Sequence, residues 1–529
     1  MTRKRFLERA LAGVAALASL GPARVAWGAA GLVRTTGIRN AGRAFVGDRP
    51  LFATVSPRSA GARGGVVVEA SAAKATEAVL EVVSRHGTGP RVLARQPVSL
   101  RPGRNEIPWR PAPKTAPGSY ILQLRADAKE GATQAPVIGK AIVRVLDVEA
   151  TFRRRSAVPG QRLVLNVQTD ARWLRVTLLR CGPEGVPTYG NAEMKGVPVA
   201  APHRVDLSRS RGTLTGIYVD IPADAPSGLY TARLDGPSGH VGFAPIIVRP
   251  AAPSSRVAVV PPTTTWQAYN FYDQNGDGLG DTWYAVWKSK RIDLARPHLR
   301  RGTPYRFRSY EVAFLHWLAG RGHTVDMYAD EDIELFPSPT ALRAAYDLIV
   351  FPGHTEYVTK RLYDLITGYR DLGGRLMFLS ANNFFREVVR TGDSARLVGE
   401  WRNRGRPESA LLGVQYLAND RGERQQPFTV VGADVAPWAF AGTGLVNGSQ
   451  FGLYGIEIDA TTRLSPPGTQ VLARIPDLFG PGRSGEMSYY ETAAGARVFS
   501  AGVLNFAGTL MLWPQVGLLL DNVWRRLTT

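Results

Sequence analysis

The chain reads as a multi-domain protein, with two N-terminal immunoglobulin-like β-sandwich units followed by an α/β, doubly wound domain. Three observations predict this. At 529 residues and 44% hydrophobic, it is too long for one core and has ample apolar material for about three. Residues 35 to about 250 are dense in short β-branched runs bounded by Gly, Pro and Ser. Beyond the Pro-rich joint Arg249-Pro250-Ala251-Ala252-Pro253, strand patterns begin to alternate with helical ones, which specifies a parallel sheet.

The first 28 residues read as an address. Thr2-Arg3-Lys4-Arg5-Phe6-Leu7-Glu8 opens the chain, an apolar stretch runs from Ala10 to Leu20, and Ala26-Trp27-Gly28 offers small residues for cleavage before Ala29. The opening resembles a twin-arginine (Tat) signal with Lys4 in place of the second Arg; a Sec signal is the alternative. The stretch is too short to span a bilayer. The expectation is an exported bacterial protein, periplasmic or extracellular, with no stable membrane insertion. The Tat route carries folded proteins, often with a cofactor in place, which favours a metal.

The β half divides into residues 35–146 and 147–250. Gly65-Val66-Val67-Val68-Glu69 and Arg162-Leu163-Val164-Leu165-Asn166-Val167 are typical strands. A weak repeat marks two similar units: Ala116-Pro117-Gly118-Ser119-Tyr120-Ile121 resembles Ala225-Pro226-Ser227-Gly228-Leu229-Tyr230. Each reads as a Pro-Gly turn feeding an alternating strand, as sandwiches require. The single cysteine, Cys181, cannot form an internal disulfide and reads as a buried structural thiol.

Residues 255–529 form the third unit. Val257 to Val260 is a first strand, Ser309 to Ala319 a helix, and Thr324 to Tyr328 a second strand. Asp347 to Phe351 is a third strand, Lys360 to Leu372 a helix closed by Gly373-Gly374, and Arg375 to Ser380 a fourth strand. The remainder mixes loops and strands before a last helix near Val516 to Arg526.

A formal charge of +21 invites a nucleic-acid reading, but only nine of the 65 basic residues are Lys and the Arg residues are scattered. No zinc-finger spacing, RNP motif or basic helix converts that charge into readout, so no nucleic-acid partner is expected.

Chemistry concentrates in two stretches. Gly353-His354-Thr355-Glu356-Tyr357 follows the apolar run ending at Phe351, at the carboxyl end of a buried strand, where open α/β sheets place their sites. Tyr269 and Tyr272 lie with Asp273 in the loop that leaves the first strand. Phenolate and carboxylate oxygens are hard ligands that suit ferric iron. Asn382 and Asn383 end the fourth strand at the same rim and could hydrogen-bond a carbonyl. Structural roles fit the same residues: a strand-end cap for His354, a helix-dipole carboxylate for Glu356, core aromatics for the tyrosines. Asp273-Gln274-Asn275-Gly276-Asp277-Gly278-Leu279-Gly280-Asp281 has the look of a calcium loop, yet its twelfth position is Tyr284 rather than Glu. A Gly-rich, Asx-turned loop explains it as well.

These stretches, with Thr265-Trp266-Gln267-Ala268-Tyr269-Asn270 and Phe378-Leu379-Ser380-Ala381-Asn382-Asn383, resemble the C-terminal domain found in the large chain of N,N-dimethylformamidase and its relatives, over residues 255 to 525. The resemblance implies a glutamine-amidotransferase-like α/β domain and amide hydrolysis at a mononuclear iron held by two Tyr and one Glu. It places Glu356 on the carboxylate ligand, His354 on the catalytic His, Tyr269 and Tyr272 on the phenolates, and Asn382 near the substrate. The two tyrosine motifs lie closer together here, so Tyr284 could replace one of them. The small chain of the formamidase has no counterpart in this sequence, and an amidotransferase-type Cys nucleophile is missing from the domain.

The leading expectation is therefore an exported, metal-dependent hydrolase of a non-peptide C–N bond, acting on a small amide or a glycan-derived substrate. The alternative is a non-catalytic cell-surface protein binding glycan or a partner on a degenerate enzyme domain. A glycan-modifying hydrolase would share the site but not the substrate.

Overall fold

The computed structural model describes residues 33–40, 44–45, 47–58, 64–126, 137–420 and 422–529. The signal segment 1–28 lies outside them. Among the described residues no helix is long and apolar enough to cross a membrane.

The first unit pairs a three-stranded antiparallel sheet (Val33–Asn40, Val66–Ala72, Gly103–Trp109) with a five-stranded one. The latter runs in the order Phe52–Val55, Val137–Val145, Gly118–Ala126, Thr76–Ser84, Arg91–Leu100. Alternation decides which side is buried: Val66, Val68, Ala70 and Ala72 face Leu80, Val82, Leu122 and Leu124 across one core. The second unit repeats the plan. Its three-stranded sheet is Thr215–Asp220, Arg162–Thr169 and Val148–Phe152, and its larger sheet centres on Val241–Val248, Gly228–Asp235 and Trp173–Arg180. The immunoglobulin-like expectation fits both units.

The sequence repeat has a physical counterpart. Tyr120 donates its hydroxyl to the carbonyl of Ala116 at 2.7 Å, and Tyr230 donates to that of Pro226 at 2.7 Å. Both rings are buried. A tyrosine that bonds backbone four residues upstream pins the corner where the chain enters a strand, as in immunoglobulin-like sandwiches. Cys181 is buried as expected, and burial raises its thiol pKa well above the ordinary value.

The third unit is built on a nine-stranded sheet. Its first five strands are parallel, in the order Asp326–Met327, Val257–Val259, Leu348–Phe351, Arg375–Phe378, Arg497–Ser500. Numbered along the chain this is 2-1-3-4-5, a doubly wound order. The strands are apolar on both sides because helices cover both. Val257, Val259, Leu348 and Val350 pack with the helices Val312–Gly320 and Pro514–Thr528. Ala258, Ile349, Phe351 and Leu376 pack with Pro339–Ala345 and Lys360–Asp371. Thr359 caps the latter helix, its side chain accepting from the Leu362 amide at 3.1 Å.

The expectation of a glutamine-amidotransferase-like domain that is doubly wound throughout is corrected here: only the first five strands follow that order. Beyond Arg497–Ser500 the sheet continues through four antiparallel strands, Gly485–Glu491, Gln470–Ile475, Gln425–Val430 and Gln450–Gly455. The unit is thus a mixed sheet in a mostly β chain, and the amidotransferase likeness gains no support. Glu311 also splits the expected Ser309–Ala319 helix into Phe307–Tyr310 and Val312–Gly320.

Two tests address these units. Tyr230→Phe removes a buried donor and leaves the Pro226 carbonyl unmatched; the unfolding free energy should fall by about 1 kcal/mol, read from a urea titration. An unchanged midpoint would show that the corner bond contributes nothing. The second test concerns His240, which is buried with Nε2 2.7 Å from Asp170 and Nδ1 2.5 Å from the Pro237 carbonyl. Burial opposes its charge, but these partners outweigh burial and raise its pKa above 6.5. A raised folded-state pKa gives stability that is complete below the unfolded value and is lost as pH rises through the folded one. The urea midpoint of the parent should therefore drop as pH rises above 6.5 by an increment that His240→Gln lacks. Identical pH profiles would refute the assignment.

Candidate functional site

The carboxyl ends of strands 1, 3 and 4 of the parallel order meet at one point, the switch point of the sheet. From the first strand, Val260-Pro261-Pro262 leads into the short helix Thr263–Ala268, and Tyr269 caps its end. From the third, Gly353 turns the chain so that His354 and Glu356 face inward. An added Cβ there would lie 2.9 Å from Glu311 Oε1 and 3.0 Å from Pro262, so the Glu311 side chain would have to move. From the fourth come Asn382 and Asn383. Asn382 holds the left-handed region at φ 55°, a conformation Asn tolerates well.

Neighbouring loops brace one another. Asn383 Oδ1 accepts from the Thr355 amide at 2.8 Å, and the Ala381 carbonyl accepts from His354 Nδ1 at 2.9 Å. Arg296, fully buried, fixes the tyrosine segment. It donates to the carbonyls of Gln267 at 2.6 Å, Asn270 at 3.3 Å and Tyr272 at 3.0 Å. Burial lowers its pKa to about 10, so it remains a cation at neutral pH.

Three functional atoms converge as a result. Tyr269 Oη lies 2.7 Å from Glu356 Oε2 and 3.0 Å from His354 Nε2, and the His354–Glu356 contact is 3.2 Å. All three side chains are buried. Around them stand acids that sequence reasoning missed. Glu457 Oε2 is 3.8 Å from His354 Nε2 and accepts from Asn382 Nδ2 at 2.8 Å. Asp459 accepts from the Asn382 backbone amide at 2.8 Å. Glu311 accepts from Trp266 Nε1 at 3.0 Å, and its other oxygen is buried without a partner among the described residues. Arg386 approaches Glu356 from the far side at 3.6 Å.

These surroundings set the charges. Burial opposes a charged His354, but Glu457 and Glu356 outweigh it and raise its pKa to about 9. Burial likewise opposes ionisation of Glu356, but His354, Tyr269 and Arg386 hold its pKa below the ordinary value. Burial, with the Glu356 charge adding to it, raises Glu457. Burial pushes Glu311 and Asp459 to about 8. Burial and the charges on Glu356 and Glu457 raise the Tyr269 phenol well above its usual range. The cluster is thus a buried imidazolium–carboxylate pair with a neutral phenol donating into it, set among surplus carboxyls.

A cavity of about 230 Å³ opens onto the cluster. Tyr269, His354, Glu457 and Glu311 form its reactive wall, Tyr284, Tyr305, Tyr310 and Trp266 its aromatic wall, and His86 to Thr88 of the first sandwich its rim.

The predicted residues are therefore only partly gathered. Tyr269, His354 and Glu356 come together. Tyr272 does not: its hydroxyl donates to Glu149 of the second sandwich at 2.6 Å, under the Arg144 guanidinium 5.1 Å from its ring centre. Tyr284 instead stacks on Tyr269 with 4.3 Å between ring centres. Asn382 touches Glu457 and does not line the cavity. In the Asp273–Asp281 loop, Asp273 accepts the amides of Gly276, Asp277 and Gly278 at 2.7–3.1 Å, and Asp281 accepts that of Gln274 at 2.8 Å. The loop is built as an Asx-type turn around its own backbone.

Among the described residues, no group of three or more His, Cys, Asp and Glu side chains is set to hold a metal ion. A set that includes a phenol does fit a hard cation. Tyr269 and Glu356 present two oxygens to one point, beside surplus buried acid that a cation would balance.

No curated protein matches the chain. Among solved structures it is similar to alpha-2-macroglobulin of E. coli in its native conformation, at 14% identity and TM-score 0.25 over 51% of this chain and 17% of that one. It is also similar to Salmonella alpha-2-macroglobulin reacted with methylamine, at 11% identity and TM-score 0.23 over 44% and 17%. A third is red sea bream transglutaminase, at 11% identity and TM-score 0.16 over 35% and 28%. The chain thus spans under a third of each of these relatives, and such scores carry no argument about it. The sequence comparison carries more: the family model described as N,N-dimethylformamidase beta subunit-like, C-terminal, matches residues 189–518, from within the second sandwich to the final helix, and the chain belongs to that family, a hydrolase-type one.

Proposed function

We propose that the chain is an exported hydrolase of non-peptide amide bonds that works with a bound mononuclear iron. The convergence of Tyr269, His354 and Glu356 at the switch point is the observation that carries this reading. Tyr269 and Glu356 would hold the ion, with Tyr284 rather than Tyr272 as second phenol, because Tyr284 stacks on Tyr269 and lines the cavity. Calcium is the lesser proposal, at Asp273–Asp281. When bound, the iron would polarise the amide carbonyl and acidify a water.

The protein's own groups would then move protons. A substrate amide enters between the aromatic wall and the reactive wall. Water oxygen adds to the carbonyl carbon and gives up its proton to Glu457, whose raised pKa makes it a competent acceptor. His354, charged at neutral pH, donates its Nε2 proton to the nitrogen as the C–N bond breaks. Glu457 returns its proton to His354 across their 3.8 Å contact, and an acid and an amine leave. Asn382 is a positioning residue that holds Glu457 through its amide. The aromatic wall excludes water, which strengthens each of these interactions.

Purified protein should hold about one iron per chain with a broad phenolate-to-iron band in its visible spectrum, and a panel of small amides should yield free amine. Glu356→Gln should abolish both iron and turnover; retained iron with normal turnover would sink the assignment. His354→Gln should keep the iron and its band while kcat falls by about 10²–10⁴-fold. A loss of iron with that substitution would make His354 a ligand instead.

A further inference from the structure

The cavity has a wall that this chemistry leaves unused. Arg300 and Arg306 line it on either side of Tyr305, with their guanidinium carbons 5.4 and 5.7 Å from that ring's centre. Their neighbours are engaged elsewhere: Arg301 pairs with Asp147 at 3.2 Å, and Arg308 bonds Asn191 at 2.9 Å. Arg300 and Arg306 make no ion pair among the described residues, and Arg306 has only a 3.5 Å bond to Tyr305 Oη. No acid of the cavity pairs with either of them. Glu356 is held by His354 and Arg386, Glu457 by His354 and Asn382, and Glu311 by Trp266. Arg306 also holds the left-handed region at φ 55°, a strained conformation for a long side chain, of the kind found at ligand clamps.

Two half-buried cations without acids in a concave site attract an anion, and a planar guanidinium matches a carboxylate with two parallel hydrogen bonds. On the reactive wall the one cation, His354, is already paired with Glu356, so a substrate with one charged end is drawn to the arginines and takes one favourable orientation. The volume, about 230 Å³, is small for a ligand pocket, and much of the remaining lining is apolar or aromatic, with Tyr284, Tyr310, Trp266, Ile456 and Leu504. We propose that the substrate is a small amide bearing a carboxylate, of the N-acyl amino acid class, whose acid is held by Arg300 and Arg306 while its amide faces His354 and Glu457. This rests on the amide-hydrolase reading of the same site.

The test is calorimetry and turnover on the purified full chain with short-chain N-acyl amino acids, each paired with its uncharged primary carboxamide. The acids should bind about tenfold or more tightly than their carboxamides, and the ratio should fall to about one in the Arg300→Gln, Arg306→Gln double variant. Arg306→Lys, which keeps the charge but loses the fork, should retain part of the preference. A panel with no preference for the acid, or a preference that survives in the double variant, overturns the proposal. Acid-selective binding without cleavage of any member would keep the anion site and remove the amide reading. Equal cleavage of acids and carboxamides would do the reverse.

Discussion

The site depends on a buried ion pair, His354 with Glu356, held between the ends of two adjacent parallel strands. Removing two charges from water is costly, and their mutual attraction offsets this only when remaining donors and acceptors are satisfied. Here they are. Nδ1 of His354 has the Ala381 carbonyl, one oxygen of Glu356 has the Tyr269 hydroxyl, and the other faces Arg386. Each partner comes from a different strand end or loop, so the pair is stable only when the sheet is assembled in this order. Losing one partner of such a pair typically costs about 3–5 kcal/mol, enough to make the site and the local fold one problem.

The β half supplies part of that assembly. The loop after Tyr269 lies on the first sandwich, with Arg49 donating to the Asn275 carbonyl at 2.6 Å and Arg144 to that of Asp273. Gly276 and Gly278 hold positive φ there, and an added Cβ would strike Phe52 or Ile121. Tyr272 and Asp273 are consumed by this seam, Tyr272 on Glu149 and Asp273 on its own loop amides. The sandwiches therefore set the path of the segment that carries Tyr269, and they do so from more than a hundred residues away.

That distance explains what the sequence revealed and what it hid. Strand and helix periods are local, so four of the five parallel strands and the helix Lys360–Asp371 were legible to within a residue or two, whereas the fifth, Arg497–Ser500, was not singled out. His354 and Glu356 were legible because both sit in one turn after a buried strand. Tyr272 misled because nearness in sequence does not fix direction: the helix ends at Ala268, Tyr269 turns inward, and three residues later the chain faces the sandwich. The antiparallel strands beyond Arg497–Ser500 were read only as mixed loops and strands. Their registers rest on pairings between segments far apart, which no local pattern encodes. Glu457 and Asp459 lay in that blurred region. Their signal was present: two acids at i and i+2 on a strand share a face, and here both are buried. Nothing in the sequence said that this face meets Asn382.

The walls of the cavity divide by origin. Its reactive groups, Tyr269, His354 and Glu457, sit at strand or helix ends locked by packing and by Arg296. Its outer groups, His86 to Thr88, Arg300, Tyr305 and Arg306, belong to loops, two of them half-exposed cations. Loops tolerate exchange because little of the core rests on them, whereas a change at a strand end disturbs the sheet and the buried charges together. The buried charge cluster and the outer cationic wall are thus built by different parts of the chain. The sandwich rim can be remodelled without unmaking the His354–Glu356 ion pair, because none of its residues touches either partner of that pair.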